Sequence, residues 1–242
     1  MDRRGAYLMS LGLVDYGEAF ELQRSLAGAV SQGAIPETVV LLEHPPVVTL
    51  GRRTDEEREL HVPPGAMVEI ADTDRGGKST FHGPGQLVCY PILDLRNHGR
   101  DVKRYMRDLE EALLTTLAAF SLVGERIEGL TGVWMPAGGG QGVRKIASIG
   151  VRVSRWVTTH GYALNVDLDP APFTEWITAC GLEDAQFTTM ARELRCSIGV
   201  DDVRPAAASA LAEVFGLEFE ELPADEGHGL WAQPVHAKLA RR

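Results

Sequence analysis

Residues 144–168 constrain the architecture more than any other stretch. Arg144 to Arg155 alternates along Ile146, Ser148, Val151 and Val153, which is the period of a half-buried strand. Val157 to Leu168 follows at once as a partner segment, so an antiparallel pair is expected. Three helical patterns accompany it. Asp15 to Val30 carries Ala19, Phe20, Leu22, Leu26, Ala27 and Val30 at roughly helical spacing, with Asp15 and Glu18 spaced as a capping box and Gly33 beyond the end. Asp101 to Leu122 is the clearest helix, with Val102, Tyr105, Met106, Leu109, Leu113, Leu117 and Phe120 on one face and Gly124 after it. Asp201 to Phe215 is a third, with Pro205 in its first turn and Gly216 as its stop. Helices mixed with antiparallel strands predict an α+β fold, mixed or antiparallel sheets flanked by helices, over a doubly wound parallel sheet.

Further strands are expected at Thr38–Glu43, Val47–Leu50 and Val68–Ile70, with short strand material within Arg126–Met135. Thr54–Leu60 is charged and reads as exposed. Leu87–Leu95 reads as a strand that Pro91 places at an edge or a bulge. Pro136–Gly142 is a loop, and short helices are expected at Phe173–Ile177 and Thr188–Leu194. Pro223–Arg242 reads as an irregular tail. No repeat or long linker divides the chain, so 1–242 is expected to be a single domain.

Composition excludes several classes. Hydrophobic residues make up 44% and charged residues 24%, values of a folded globular protein. No run reaches the ~20 apolar residues that span a bilayer, and no apolar core of signal-peptide type follows the N-terminal cations, so a cytoplasmic protein without membrane attachment is expected. Cys89, Cys180 and Cys196 form no Cys-x-x-Cys pair, which argues against a disulfide framework or a structural zinc site. A net charge of -10 argues against nucleic acid as a partner. The charge is uneven, because residues 75–155 hold 12 Lys/Arg against 7 Asp/Glu. That segment suits an anionic substrate or an acidic partner protein.

The densest candidate for a site is Arg75-Gly76-Gly77-Lys78-Ser79-Thr80-Phe81-His82-Gly83-Pro84-Gly85-Gln86. Glycines let a ligand approach the main chain closely, and a loop feeding a strand is a common binding surface. It is not a phosphate cradle: it lacks Gly-x-x-x-x-Gly-Lys-Ser/Thr, and a strand rather than a helix follows. Lys145 lies among small and apolar neighbours; it is either an exposed strand lysine or, if turned inward, a candidate base. Cys180 lies between small residues after a short helix. A cation ~4 Å from its thiol at an effective dielectric of ~20 supplies about 4 kcal/mol toward a thiolate. His82 and His160 read either as groups that support a site residue from behind or as hydrogen-bonded core histidines. No residue spacing makes a metal site.

Together the segments RGGKSTFHGPGQ, VRKIASIG, HGYALNVD and the Ala-Cys-Gly turn, with LLEHPPVVTLGRR upstream, resemble the lipoyl(octanoyl) transferase family, the octanoyl-acyl carrier protein:protein N-octanoyltransferases. The likeness runs from about Val39 to about Met190. One departure is Ala179, where the family usually has proline before the cysteine.

The resemblance implies the α+β fold of biotin and lipoate protein ligases. It implies that Cys180 takes octanoyl from octanoyl-acyl carrier protein as a thioester and that Lys145 lowers the thiol's pKa and shuttles protons. A lysine of a lipoyl domain, in 2-oxoacid dehydrogenase complexes or the glycine cleavage H protein, then receives the acyl group. Acyl contacts fall on Arg75, Gly76, Gly77, Lys78, Ser79, Thr80, Phe81 and His82, on Ser148, Ile149 and Gly150, and on Gly161, Tyr162 and Ala163. No cofactor and no metal are implied. Thioester to amide runs downhill, so no ATP is needed. An ATP-dependent lipoate–protein ligase and a non-catalytic acyl-carrier-binding module are the alternatives, and Cys180 with Lys145 argues against both.

Overall fold

Runs that are apolar at every position, rather than at alternate ones, mark strands covered on both faces, and they form the centre of this molecule. The computed structural model describes residues 3–178 and 186–222; Ala179, Cys180 and the tail 223–242 lie outside the described residues. Among the described residues, twelve strands and six helices follow in chain order. They are β1 (Arg4–Leu13), α1 (Tyr16–Ser31), β2 (Thr38–Glu43), β3 (Val47–Leu50), α2 (Glu56–Glu59), β4 (Glu69–Asp72), β5 (Thr80–His82), β6 (Gln86–Ile92) and α3 (Val102–Ala119). Then come β7 (Glu125–Ile127), β8 (Leu130–Met135), β9 (Arg144–Ser154), β10 (Val157–Asn165), α4 (Pro172–Glu175), β11 (Gln186–Phe187), α5 (Met190–Leu194), α6 (Val200–Phe215) and β12 (Leu217–Leu222).

The main sheet runs β12-β1-β2-β6-β10-β9-β8-β7, with β11 beside β9, and β4-β3-β5 form a second, small sheet. The expected β9–β10 pair is antiparallel, with Gly150 opposite Gly161. Strands β1 and β12 answer to no sequence expectation; they pair parallel to each other, and β1 also lies parallel to β2. Val39 and Leu41 of β2 and Leu87 and Cys89 of β6 face a core shared with α3 and α6. Their neighbours Val40, Leu42, Val88 and Tyr90 face α1. Two-sided burial is why these strands read as continuous apolar runs.

Several local expectations are corrected. Asp15 precedes α1 without making a side-chain cap. Residues 54–60 contain α2, whose Glu59 is buried. Strand β6 lies between β2 and β10, so Pro91 is not at an edge. The ladder with β10 instead ends at Tyr162–Cys89. Beyond it His160 adopts φ 57 and donates its N–H to Gln23 Oε1 (2.6 Å). The interior proline is tolerated because the opposing backbone has turned away. Asp101 caps α3 through Lys103 N and Arg104 N, but the left-handed turn after it falls on Ser121 rather than Gly124. Helix α6 begins at Val200, which puts Pro205 in the second turn.

Candidate active site

A cavity of about 440 Å³ lies where β9 and β10 meet the glycine loop. Its wall includes Arg75, Gly76, Gly77, Lys78, Ser79, Thr80 and His82 from the loop and β5. Lys145, Ser148, Ile149 and Gly150 come from β9, and Gly161, Tyr162 and Ala163 from β10. Phe81 is not in this wall. On a strand, neighbours face opposite ways, and Phe81 packs edge-on against Phe173 and Trp176 behind the loop. Sequence reasoning did not single out Tyr16, Arg53, Tyr90 and Trp134, which also line the cavity. His160, expected either in the core or behind a site residue, is buried and lines the cavity as well.

The loop's two cations hold the loop itself. Arg75 is buried and donates from Nη1 to the carbonyls of Gly76 (3.1 Å) and Lys78 (2.8 Å), and from Nη2 to Thr49 O (2.7 Å) and Oγ1 (2.8 Å). Lys78 pairs with the buried Glu59 of α2. Asp74, just before the loop, joins His160 (2.8 Å) and Arg152. Charge-assisted bonds thereby supply order that the side chains of a glycine-rich segment cannot.

At one end stands Lys145, only 4% exposed, with Nζ 5.1 Å from the centre of the Trp134 ring. At the other, Tyr16, His44, His82, Tyr90 and His160 form an aromatic cluster. Burial lowers the His44 pKa to about 4 and that of His82 to about 3, with His44 adding to the latter shift. Burial lowers His160 too, against the opposing pull of Asp74. Burial also raises Tyr16 to about 12. This end therefore presents neutral rings to the cavity near pH 7. His44 is fixed by Val14 O (2.6 Å) and Tyr90 Oη (2.7 Å), and His82 by Gln86 Oε1 (2.7 Å).

Cys89 sits in the core, where burial pushes its thiol up, and Cys196 is exposed. Cys180 lies outside the described residues. The chain before it is tied by Thr178 N to Glu59 O (2.9 Å). The chain after it returns directly beside Lys145, since Phe187 is the register partner of Lys145 and Thr188 N donates to Lys145 O (3.0 Å). Among the described residues no group of His, Cys, Asp and Glu could hold a metal ion, and no helix is long and apolar enough to cross a membrane.

Residues 15–212 match the model of the lipoyl protein ligase A/B catalytic domain. The octanoyltransferase of Mycobacterium ulcerans is 50% identical over 212 residues, covering 86% of this chain and 87% of its own. That of Chloroflexus aurantiacus is 45% identical, covering 86% and 93%. The chain belongs to the octanoyltransferase family. It is thus an acyltransferase by family. Among solved structures, the bipartite lipoate protein ligase of Thermoplasma acidophilum superposes with a TM-score of 0.71 at 15% identity, covering 99% of this chain and 95% of its own. That likeness gives the octanoyltransferase the fold of lipoate protein ligases.

Proposed function

We propose that this protein transfers an octanoyl group from octanoyl-acyl carrier protein to a lysine of a lipoyl domain through a thioester on Cys180. The observation that carries the reading is a buried lysine, Lys145, in the wall of a glycine-lined cavity. Membership of the octanoyltransferase family supports it.

The Cys180 thiolate attacks the thioester carbonyl carbon, a carbon–sulfur bond to Cys180 forms, and the bond to the carrier sulfur breaks. Lys145 gives a proton to the departing carrier thiolate. The neutral amine of the lipoyl-domain lysine then attacks the same carbon, the Cys180 thiolate leaves, and the now neutral Lys145 takes up the proton that the amide nitrogen sheds, so protons and electron pairs balance over the cycle. Burying about six methylenes of the chain supplies roughly 5 kcal/mol of donor binding. The neutral imidazoles suit such a chain, because a charge beside it would carry an unrecovered desolvation cost.

Incubation with octanoyl-acyl carrier protein should add one octanoyl mass to the protein, and hydroxylamine should remove it. Cys180→Ala should take up none. Equal labelling of that variant would refute the thioester.

A further inference from the structure

Strands β8 and β9 do not pair evenly. Val133 faces Ala147, yet the next residue, Trp134, faces Lys145. Ile146 is therefore an extra residue on β9, a bulge, and bulges re-aim side chains beside active sites. Without it Trp134 would oppose Ile146, which belongs to the core under α3 and α6. With it, the indole and Lys145 become cross-strand neighbours on one side of the sheet.

Two residues before Trp134, on the same face of β8, stands Gly132 at φ 111. A Cβ there would lie 2.4 Å from Ala147 O, 2.9 Å from Lys145 Cε and 3.4 Å from Nζ. Glycine thus leaves the passage that the lysine stem occupies, while the indole lies under its nitrogen at 5.1 Å. An ammonium within about 6 Å of an indole centre is attracted to the ring face, most strongly where water is excluded. Lys145 and Trp134 are both buried.

We propose that Trp134 is a positioning residue for acyl transfer: its ring face holds the Lys145 ammonium at the reacting end of the cavity, in a slot that Gly132 keeps open. The proposal rests on Lys145 being the proton donor of the transfer reaction.

The test is single-turnover acylation by octanoyl-acyl carrier protein. Trp134→Leu is expected to slow acylation about tenfold with the donor KM within twofold, and Trp134→Phe, which keeps a weaker ring face, to recover most of the rate. Replacing the four tryptophans by fluorinated tryptophan weakens the ring faces at nearly unchanged shape. It should slow the parent protein and leave Trp134→Phe unchanged, which controls for the other three and answers even where the leucine variant does not fold. A fluorinated parent as fast as the unfluorinated one, a phenylalanine variant no faster than leucine, or a loss confined to KM would each overturn the proposal. Full acylation by Lys145→Ala would instead remove the role of the lysine, independently of Trp134.

Discussion

The cavity has two walls of different construction. One is the sheet, where β10 pairs with β6 and the neutral imidazole of His160 faces the cavity. The other is the glycine loop, laid on β9 and tied by Arg75 and Lys78 to carbonyls and to Glu59. Gly161 and Gly150 face each other across the β9–β10 ladder, one glycine for each wall. A Cβ on Gly161 would stand 2.2 Å from Cys89 O and 2.6 Å from Pro91 Cδ, whereas one on Gly150 would stand 3.2 Å from Arg75 Cδ and from Gly76 O. The first glycine lets two strands of the core pass; the second lets a loop lie down. Identical residues in one ladder therefore serve the fold and the site respectively.

The largest effect separates the walls directly. Gly161→Ala forces backbone against backbone in the sheet, and such overpacking should cost about 3 kcal/mol. For a protein of this size that is roughly a 9 °C fall in melting temperature. A variant melting within 2 °C of the parent protein would show that the sheet wall yields as the loop does.

The histidines of the aromatic cluster give the next effect. In the unfolded chain each imidazole protonates near pH 6.5, while in the folded protein burial holds His44 neutral to about 4 and His82 to about 3. A lowered pKa contributes stability that is complete above the unfolded value and lost as pH falls below it. Between pH 7.5 and pH 5 each should withdraw about 2 kcal/mol. Denaturant titrations at both pH values measure the sum over the buried histidines, and His82→Gln should remove about 2 kcal/mol of that pH dependence. An unchanged dependence in the variant would place the titrating groups elsewhere.

Sequence and structure agree on the elements whose burial pattern is local, and differ at caps and ends. The α3 face, the β9–β10 alternation and the buried run of β2 were legible because each element declares its own burial. Strands β1 and β12 were not, because they join residue 4 to residue 217 across the whole chain, and half of β12 (Leu-Glu-Phe-Glu-Glu-Leu) is charged. The site divides in the same way. Glycine-loop, β9 and β10 residues that line the cavity lie inside contiguous motifs. Trp134 was missed because a bulge, which no periodicity reveals, sets it against Lys145. Phe81 lies in the motif but follows the strand's alternation into the packing behind it. Arg75 and Lys78, expected among the acyl contacts, direct their charge to loop carbonyls and to Glu59.

The smallest effect tests the loop wall. Gly150→Ala places a methyl 3.2 Å from Gly76 O, a contact relieved if the loop shifts by a few tenths of an ångström. The strand itself favours alanine over glycine by up to about 1 kcal/mol, so melting should change little. The shifted loop still carries Gly76 and Gly77 in the cavity wall, and donor binding should therefore weaken. A rise in donor KM of about threefold at unchanged kcat, near 0.6 kcal/mol, is expected from steady-state transfer. If Gly150→Ala instead loses stability as Gly161→Ala does, the loop is as rigid as the sheet and the two walls are one.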